Sequence, residues 1–338
     1  MAVTRWLLRC AIVVFAVSPA RSADEVALTP GETIELPTVR GRIDHLAVDL
    51  GRDRLYVAAL GNDTVEVVDL KAAVRRRSLH GFIDPQSAVF VPGLDRLFVS
   101  NGRGDHVDII DGGSLSRIKR IDGLQDADNM RLDAAARTLY VGYGKGGLRA
   151  LDAASGESLG NIPLSGHPES FQLEANGARI FVNVPGAEHV AVVDRAKRTV
   201  VATWPLDGAE ANFPMALDEA GRRLFVGTRF PALLLVYDID SGKIVAKLEI
   251  GKDADDIFFD PVRKRIYVIC GEGRIDIVRQ QDPDHYSLEG TSSTAPRART
   301  GLFVPESRRL YVAAPAIGAS PARILVYHLR QPSETNGR

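Results

Sequence analysis

The protein has 338 residues, 45% of them apolar and 25% charged, and a formal net charge of −1 at neutral pH. This apolar content is enough for a large core, and the near-neutral charge argues against binding to nucleic acid or to an anionic membrane through bulk charge. We therefore expect no nucleic-acid partner.

The first 23 residues read as a secretory signal peptide. Arg5 and Arg9 precede an uncharged stretch, residues 10–20, which is shorter than the about 20 apolar residues of a membrane span. Cleavage after Ala20 and cleavage after Ala23 both remain open, as does an uncleaved anchor. Cleavage after Ala23 removes three arginines and no acid, which changes the net charge from −1 to −4. We expect an exported chain, periplasmic or secreted, with no integral membrane domain after cleavage.

Only one cysteine, Cys270, lies beyond residue 23. A mature chain with one cysteine cannot form an internal disulfide. Its stability must therefore come from the burial of apolar surface.

From residue 32 onward the chain repeats a unit of about 42 residues. A pattern of a polar or basic residue, an aliphatic residue, an aromatic residue and valine occurs seven times, with the aromatic positions 41 to 44 residues apart. Each unit has several strand-like runs separated by Gly, Asp and Asn, and no helical period is evident. Units of this length with four strands predict an all-β fold, a seven-bladed β-propeller over residues 24–330. The aromatic positions are Tyr56, Phe98, Tyr140, Phe181, Phe225, Tyr267 and Tyr311.

The last unit supplies three strands, and the unused run "ETIELP" at 32–37 could supply the fourth. We predict that this N-terminal strand closes the last blade and so protects a free sheet edge. Residues 331–338 are predicted to form a flexible C-terminal tail.

Charges that recur in most units are assigned to the scaffold. Arginine lies two residues before the aromatic in six units, and an acid lies seven before it in five, so the two are expected to pair across a hairpin. The aspartates that end the third strands are expected in turns.

Two positions vary from unit to unit, twelve and eleven residues before the aromatic. They open the innermost strand of each blade, so we predict that they surround one central opening. The near-identical phrases "DADNMRLD" (126–133) and "DADDIFFD" (253–260) then open the third and sixth blades. With their neighbours, the predicted ligand-binding residues of this pocket are Arg42, Asp44, His45, Gln86, Asp128, Asn129, His167, Glu169, Asn212, Phe213, Asp255, Asp256, Arg297 and Arg299.

Four acids in one opening repel one another, by about 2 kcal/mol for a pair about 7 Å apart at an effective dielectric near 20. A cation, a raised pKa, water or nearby arginines must offset this repulsion. Three interpretations stay open: a water-filled polar channel, a small-ligand pocket, or a divalent-metal site. Oxygen ligands would suit Ca²⁺ or Mg²⁺. The candidate metal ligands are Asp44, Asp128, Glu169 and Asp255.

The segments "RLYVAALGNDTVEVVDL" (54–70) and "RLFVSNGRGDHVDIIDG" (96–112) resemble the YVTN-type repeat proteins, exported bacterial propellers that include the YncE-like proteins. The resemblance implies export and a seven-bladed propeller but no one reaction. The Thr-Asn of the family's name is replaced by Ala58-Ala59 and Ser100-Asn101.

Several cofactor chemistries lack their motifs. The chain has no Cys-x-x-Cys-His run for covalent haem and no Gly-x-Ser-x-Gly, and Ala246 stands where a pyrroloquinoline-quinone propeller would carry Trp. We expect a monomeric binding protein or interaction platform for a small molecule or protein. The alternative is a metal-dependent hydrolase or lyase similar to the lactonase and gluconolactonase propellers, with His45 or His167 carrying protons. Loops after the second strands would complete the rim, through Asn62, Arg103, His106, Lys145, His189, Arg229 and Glu272.

Overall fold

A computed structural model describes residues 28–330, and its strands form seven four-stranded antiparallel sheets, as the repeat predicts. Blade 1 comprises strands β2–β5, each later blade takes the next four strands, and blade 7 comprises β26–β28 with β1. In chain order the strands are β1 (Leu28–Leu36), β2 (Leu46–Asp49), β3 (Arg54–Ala59), β4 (Thr64–Asp69), β5 (Val74–Leu79), β6 (Pro85–Val91), β7 (Arg96–Asn101), β8 (His106–Asp111), β9 (Arg117–Asp122), β10 (Met130–Asp133), β11 (Thr138–Tyr143), β12 (Gly147–Asp152), β13 (Ser158–Pro163), β14 (Phe171–Leu173), β15 (Arg179–Val184), β16 (His189–Asp194), β17 (Thr199–Pro205), β18 (Glu210–Asp218), β19 (Arg223–Phe230), β20 (Ala232–Asp238), β21 (Ile244–Glu249), β22 (Ala254–Asp260), β23 (Arg265–Cys270), β24 (Arg274–Asp282), β25 (His285–Ser293), β26 (Thr300–Val304), β27 (Arg309–Ala314) and β28 (Ala322–Leu329).

The blades form a closed ring. The first strand of each blade contacts the first strand of the next, and β26 of blade 7 contacts β2 of blade 1. The N-terminal strand β1 pairs antiparallel with β28, with Leu36 opposite Ala322 and Leu28 opposite Leu329. The predicted closure of the last blade is thereby confirmed.

Helical structure within residues 28–330 is limited to four three-residue 3-10 segments, Leu50–Arg52, Leu60–Asn62, Pro92–Leu94 and Pro185–Ala187. No helix in this range is long and apolar enough to cross a membrane. The predicted signal peptide and C-terminal tail lie outside the described residues.

The repeated apolar pattern builds seven cores, one between each pair of neighbouring blades. In β3, Leu55 packs into the cluster shared with blade 7, and Tyr56 packs into the cluster shared with blade 2. Successive side chains of a strand point to opposite faces, so one strand serves both neighbours. The other six units repeat this arrangement, and each aromatic residue lies in the cluster shared with the next blade: Phe98, Tyr140, Phe181, Phe225, Tyr267 and Tyr311.

The repeated aspartates at the ends of the third strands are turn residues, as predicted. In five blades the aspartate carboxylate accepts a hydrogen bond from the backbone N–H three residues later, at 2.6–2.9 Å. This bond satisfies backbone donors in the turn to the fourth strand. The residues are Asp69, Asp111, Asp152, Asp194 and Asp238.

The repeated arginines behave differently from the expectation. Glu174 does pair with Arg179 across its hairpin, but Asp49 pairs with Arg52 instead. Four of the repeated arginines donate to a backbone carbonyl of the next blade, because the guanidinium reaches past its own hairpin. These bonds run from Arg54 to Gly112, from Arg96 to Ala154, from Arg179 to Ile239 and from Arg223 to Pro283.

We expect Ile34→Ala to destabilise the protein by about 2–4 kcal/mol, because it leaves a cavity in the core between blades 7 and 1. Ile34 of β1 is 1% exposed, and the adjacent Glu35 is exposed. Urea unfolding should therefore show a lower midpoint for Ile34→Ala and a nearly unchanged midpoint for Glu35→Ala. Equal effects of the two substitutions would contradict the closing role of β1.

Candidate functional site

The chain enters each first strand through a tight turn. We call residues 44, 86, 128, 169, 213, 255 and 299, which precede or open the first strands, the ring positions. Five of the residues two positions before them have a left-handed backbone, with φ between 50° and 64°: Asp84, Asp126, Ala211, Asp253 and Arg297. Asp tolerates this conformation better than most side chains. The first aspartate of each acidic phrase is therefore a turn residue, and the next one, Asp128 or Asp255, reaches the opening.

Charged groups from separate blades meet at this opening, which we call the channel mouth. It is defined by the ring positions Asp44, Gln86, Asp128, Glu169, Phe213, Asp255 and Arg299 and their immediate neighbours. Arg42, ahead of blade 1, lies 3.6 Å from the carboxylate of Asp255 in blade 6, although blade 7 stands between them in the ring. The structure thus brings these groups together, and their role in binding a ligand stays a prediction.

Asp255 lies at the centre of an arginine network. Its carboxylate contacts Arg229 at 2.8 Å and Arg299 at 2.9 Å, in addition to Arg42. Arg299 and Arg229 also contact Asp253, at 2.8 Å and 3.3 Å. Burial raises the pKa of Asp255, while the three arginines oppose that rise. On this side of the mouth, arginines are therefore the main offset to the crowded acids.

His45 joins blade 1 to blade 6. Its Nδ1 is 3.4 Å from Asp256, and its Nε2 is 3.7 Å from Asp44. Burial by itself would lower the pKa of His45, but Asp256 and Asp44 outweigh it and raise the pKa to about 10. Asp256 also accepts a hydrogen bond from the backbone N–H of Gly301 in blade 7 at 2.8 Å. His45 is therefore a cation at neutral pH, held between two carboxylates.

Asp44 is almost fully buried, at 1% exposure, and lies 2.9 Å from Arg42. Burial raises its pKa to about 6, with His45 and Arg42 opposing this rise and Asp128 and Asp255 adding to it. Neither carboxylate oxygen has a hydrogen-bond partner within residues 28–330. An ionised Asp44 thus costs the fold stability, and it is pointed toward other acids of the mouth.

A second cluster lies on the other side of the mouth. Asp128, His167 and Glu169 each have one potential metal-ligand atom, and these three atoms lie within 4.8 Å of one another. His167 Nδ1 donates to the carbonyl of Gly144 at 2.7 Å, and its Nε2 lies 3.7 Å from Asp128. Because a carbonyl only accepts, this bond fixes the proton on Nδ1 and turns Nε2 toward the carboxylates.

The electrostatics of this second cluster are unfavourable for Glu169. Burial, Asp128, Asp255 and Asp44 raise its pKa, and His167 and the more distant Arg42 act against them. Burial lowers the pKa of His167, but Asp128 and the Gly144 carbonyl outweigh it and raise that pKa to about 9. The arginine network that neutralises Asp255 does not extend to an ion pair with Glu169 in the described part of the chain.

The predicted site residues with uncharged side chains make hydrogen bonds and one cation–π contact. Gln86 approaches Asp126 at 3.4 Å, and Asn129 approaches Asp128 at the same distance. Asn212 donates to Asn183, and its carbonyl oxygen is buried without a partner in the described range. The ring of Phe213 lies 3.9 Å below the guanidinium of Arg229, a cation–π contact.

Three arginines line a pocket beside the mouth. It offers about 40 Å³ to the centres of water-sized molecules, and its wall is formed by Arg42, Ile43, Arg297, Arg299 and Pro315. All three arginines belong to the predicted pocket residues, but the sequence did not indicate a separate cavity beside the mouth.

The structure also brings in residues that the predicted set left out. Asp253 is part of the acidic phrase and serves as the turn residue that binds Arg299. Arg131 of blade 3 donates to Ser170 of blade 4 at 3.3 Å, and its pKa is lowered by burial, against the effect of Asp256 and Asp128. Of the predicted loop residues, Arg229 belongs to the network, whereas His106 is buried and pairs with Asp108.

The four predicted metal ligands are divided between the two sides of the mouth. Asp44 and Asp255 contact arginines, and Asp128 and Glu169 lie with His167. Within residues 28–330, the three-residue group is the one set of His, Cys, Asp and Glu side chains close enough to share an ion. The four-carboxylate site stays a prediction.

Comparisons with known proteins agree on the fold. No model of a known protein family matches the chain. An uncharacterized protein of Salmonella typhimurium, YncE, is 26% identical over 188 residues, covering 53% of this chain and 52% of that protein, and YncE of Salmonella typhi is 25% identical over the same length. The chain therefore matches only about half the length of these curated relatives, and the likeness supports a YncE-like propeller.

Two solved structures share the architecture. A chain of the mitotic checkpoint complex superimposes with a TM-score of 0.76 at 14% identity, covering 96% of this chain and all of that one. A chain of hydrazine synthase from Kuenenia stuttgartiensis gives 0.71 at 16% identity, covering 82% and 94%. At this level of identity the likeness shows the fold alone.

We expect Glu169→Gln to stabilise the protein at pH 8, with the melting temperature rising by about 2 °C. The substitution keeps the side-chain shape and removes the repulsion by Asp128 and Asp255. Because it also removes the attraction by His167 and Arg42, we expect a net gain of about 1 kcal/mol. Because the pKa of Glu169 is raised, its ionised carboxyl lowers the free energy of unfolding above that pKa, and this cost disappears as the carboxyl protonates. The rise in melting temperature on substitution should therefore shrink at acid pH.

The matched control is Glu174→Gln. Glu174 is bound by Arg179, and its pKa is lowered, so its loss of charge should destabilise the protein at pH 8. Both variants should be melted in the presence of a chelator, so that no divalent ion offsets the repulsion. A lower melting temperature for Glu169→Gln would contradict the electrostatic picture.

Proposed function

We propose that the protein is an exported binding protein or interaction platform that takes a small molecule or a protein at the channel mouth. The propeller fold is consistent with a binding or platform role. Export rests on the amino-terminal sequence, in which Arg5 and Arg9 precede a short apolar stretch.

The observation that carries the proposal is the concentration of strained ionisable groups at one opening. Asp44 and Glu169 are held where their ionised forms are disfavoured, and both face other acids of the mouth. The scaffold charges, by contrast, are stabilised by turns and by backbone carbonyls of the next blade. Perturbed groups gathered in a concave opening are the usual mark of a functional site.

A thermal-shift screen of the full chain tests this proposal. The library should contain anionic, cationic and neutral polar compounds. We expect at least one compound that raises the melting temperature of the wild-type protein but whose effect is halved or lost in Glu169→Gln and Asp255→Asn. Glu306→Gln, an exposed residue on the hairpin between β26 and β27, is the control and should keep the response. If every response survives in the two mouth variants, the ligand does not bind there.

A second candidate, a metal-dependent hydrolase or lyase, is favoured by the cluster of Asp128, His167 and Glu169. A metal-binding histidine commonly donates its other ring nitrogen to a carbonyl or carboxylate, as His167 does to Gly144. Because one ligand is an imidazole, this set suits Zn²⁺ or Mn²⁺ better than the Ca²⁺ or Mg²⁺ expected for four carboxylates. A bound ion would polarise a carbonyl or activate water, and the protein side chains would hold its ligands in place.

For this candidate we expect isothermal titration calorimetry to detect one Zn²⁺ or Mn²⁺ per chain, with Ca²⁺ and Mg²⁺ at least tenfold weaker. His167→Ala and Glu169→Gln should remove the binding, because each deletes one of three ligands. His285→Ala, at an exposed histidine outside the mouth, should bind the ion as the wild type does. Absence of stoichiometric heat for all four ions would eliminate metal chemistry at this cluster.

A further inference from the structure

The wall of the pocket beside the channel mouth carries positive charge. Three of its five lining residues are arginines, and the other two, Ile43 and Pro315, are apolar and buried. No carboxylate forms part of the wall, although several lie behind it. A ligand entering this pocket therefore meets guanidinium groups and hydrocarbon first.

Some N–H donors of these arginines have no hydrogen-bond partner within residues 28–330. The Nε of Arg42 is buried and has no hydrogen-bond partner within residues 28–330. Arg297 is exposed at the rim, and its side chain makes no ion pair or hydrogen bond within the same range. A guanidinium carries five N–H donors, so both arginines retain donors that no protein group in this range engages, and those of Arg297 are open to solvent.

One guanidinium of the wall is not engaged in an ion pair. Arg42 contacts Asp44 and Asp255, and Arg299 contacts Asp253 and Asp255, whereas Arg297 makes no ion pair within residues 28–330. The charge of Arg297 is therefore available to a ligand that enters the pocket.

Building on the proposed function, we propose that the pocket of Arg42, Arg297 and Arg299 binds the carboxylate or phosphate group of a small anionic ligand. The flat fork of a guanidinium matches two oxygens of either group, and such pairs are stronger than neutral hydrogen bonds. Ile43 and Pro315 accommodate the adjoining carbon skeleton. Arg42 and Arg299 are already oriented by Asp44, Asp253 and Asp255, so the ligand need not order them on binding.

Arg297 is the residue on which the inference can be tested with least risk to the fold, because it is exposed and unpaired. The full chain should be titrated calorimetrically with succinate, citrate, inorganic phosphate and glycerol 3-phosphate, in low salt and in 150 mM salt. Binding should be saturable at one site and weaken as salt rises. Arg297→Ala should weaken it about 10- to 100-fold, because one charge-assisted contact is lost. Arg297→Lys should weaken it less, since the charge remains but the fork is gone.

Arg308→Ala is the matched control. Arg308 is also an exposed arginine with a left-handed backbone, at φ 54° against 64° for Arg297, and it lies on the hairpin between β26 and β27. It should leave the affinity within about twofold of wild type, because it removes the same charge far from the pocket. Binding of the carboxylates alone or of the phosphates alone would support the proposal and identify the group.

The inference is overturned if no anion of the four binds, or if Arg297→Ala and Arg308→Ala weaken binding equally. Its failure is distinct from failure of the proposed function. A neutral or cationic compound whose effect depends on Glu169 and Asp255 would leave the binding role standing without the anion pocket.

Discussion

The structure depends on one constraint: the second strand of every blade is buried on both faces. Leu55 packs toward blade 7 and Tyr56 toward blade 2, and each unit repeats this division. A strand buried on both faces cannot carry polar side chains in its interior without a cost in unfolding free energy. Polar side chains of the second strands therefore lie near the strand ends, and the entrances of the first strands are the ends that converge on the axis.

The same constraint divides the charged residues into two groups. The first is structural: Asp69 and its equivalents satisfy turn N–H groups, and Arg54 and its equivalents bind carbonyls of the next blade. These groups gain hydrogen bonds, so they stabilise the fold wherever the unit recurs. The second group lies at the channel mouth and varies from blade to blade. There Asp44 and Glu169 are disfavoured as anions, which is a cost that the scaffold does not require.

The period of the sequence was sufficient to predict the fold, including the return of β1 to blade 7, because an unused strand and a three-stranded blade complement each other. The ring positions were also correctly predicted to converge. The contacts were not predictable, since distances across the axis depend on blade tilt and on side-chain rotamers. Arg229 reaches Asp255 from the end of strand β19 in blade 5. Asp260 pairs with Arg263, and the opposed Arg265 pairs with Glu289. The pairing rule failed because long arginines need not bond their cross-strand neighbour.

Charge compensation at the mouth is uneven, and this unevenness is the strongest reason to treat it as more than a solvated channel. Asp255 has three arginines around it, whereas Glu169 makes no ion pair with an arginine among residues 28–330. A seven-bladed ring needs no such difference, because its stability arises between adjacent blades, away from the axis. Asp44 and Asp255, of blades 1 and 6, are paired with arginines. Asp128 and Glu169, of blades 3 and 4, make no ion pair with an arginine in the described range. An opening polarised in this way orients an asymmetric ligand, which a uniform ring of like charges would not do.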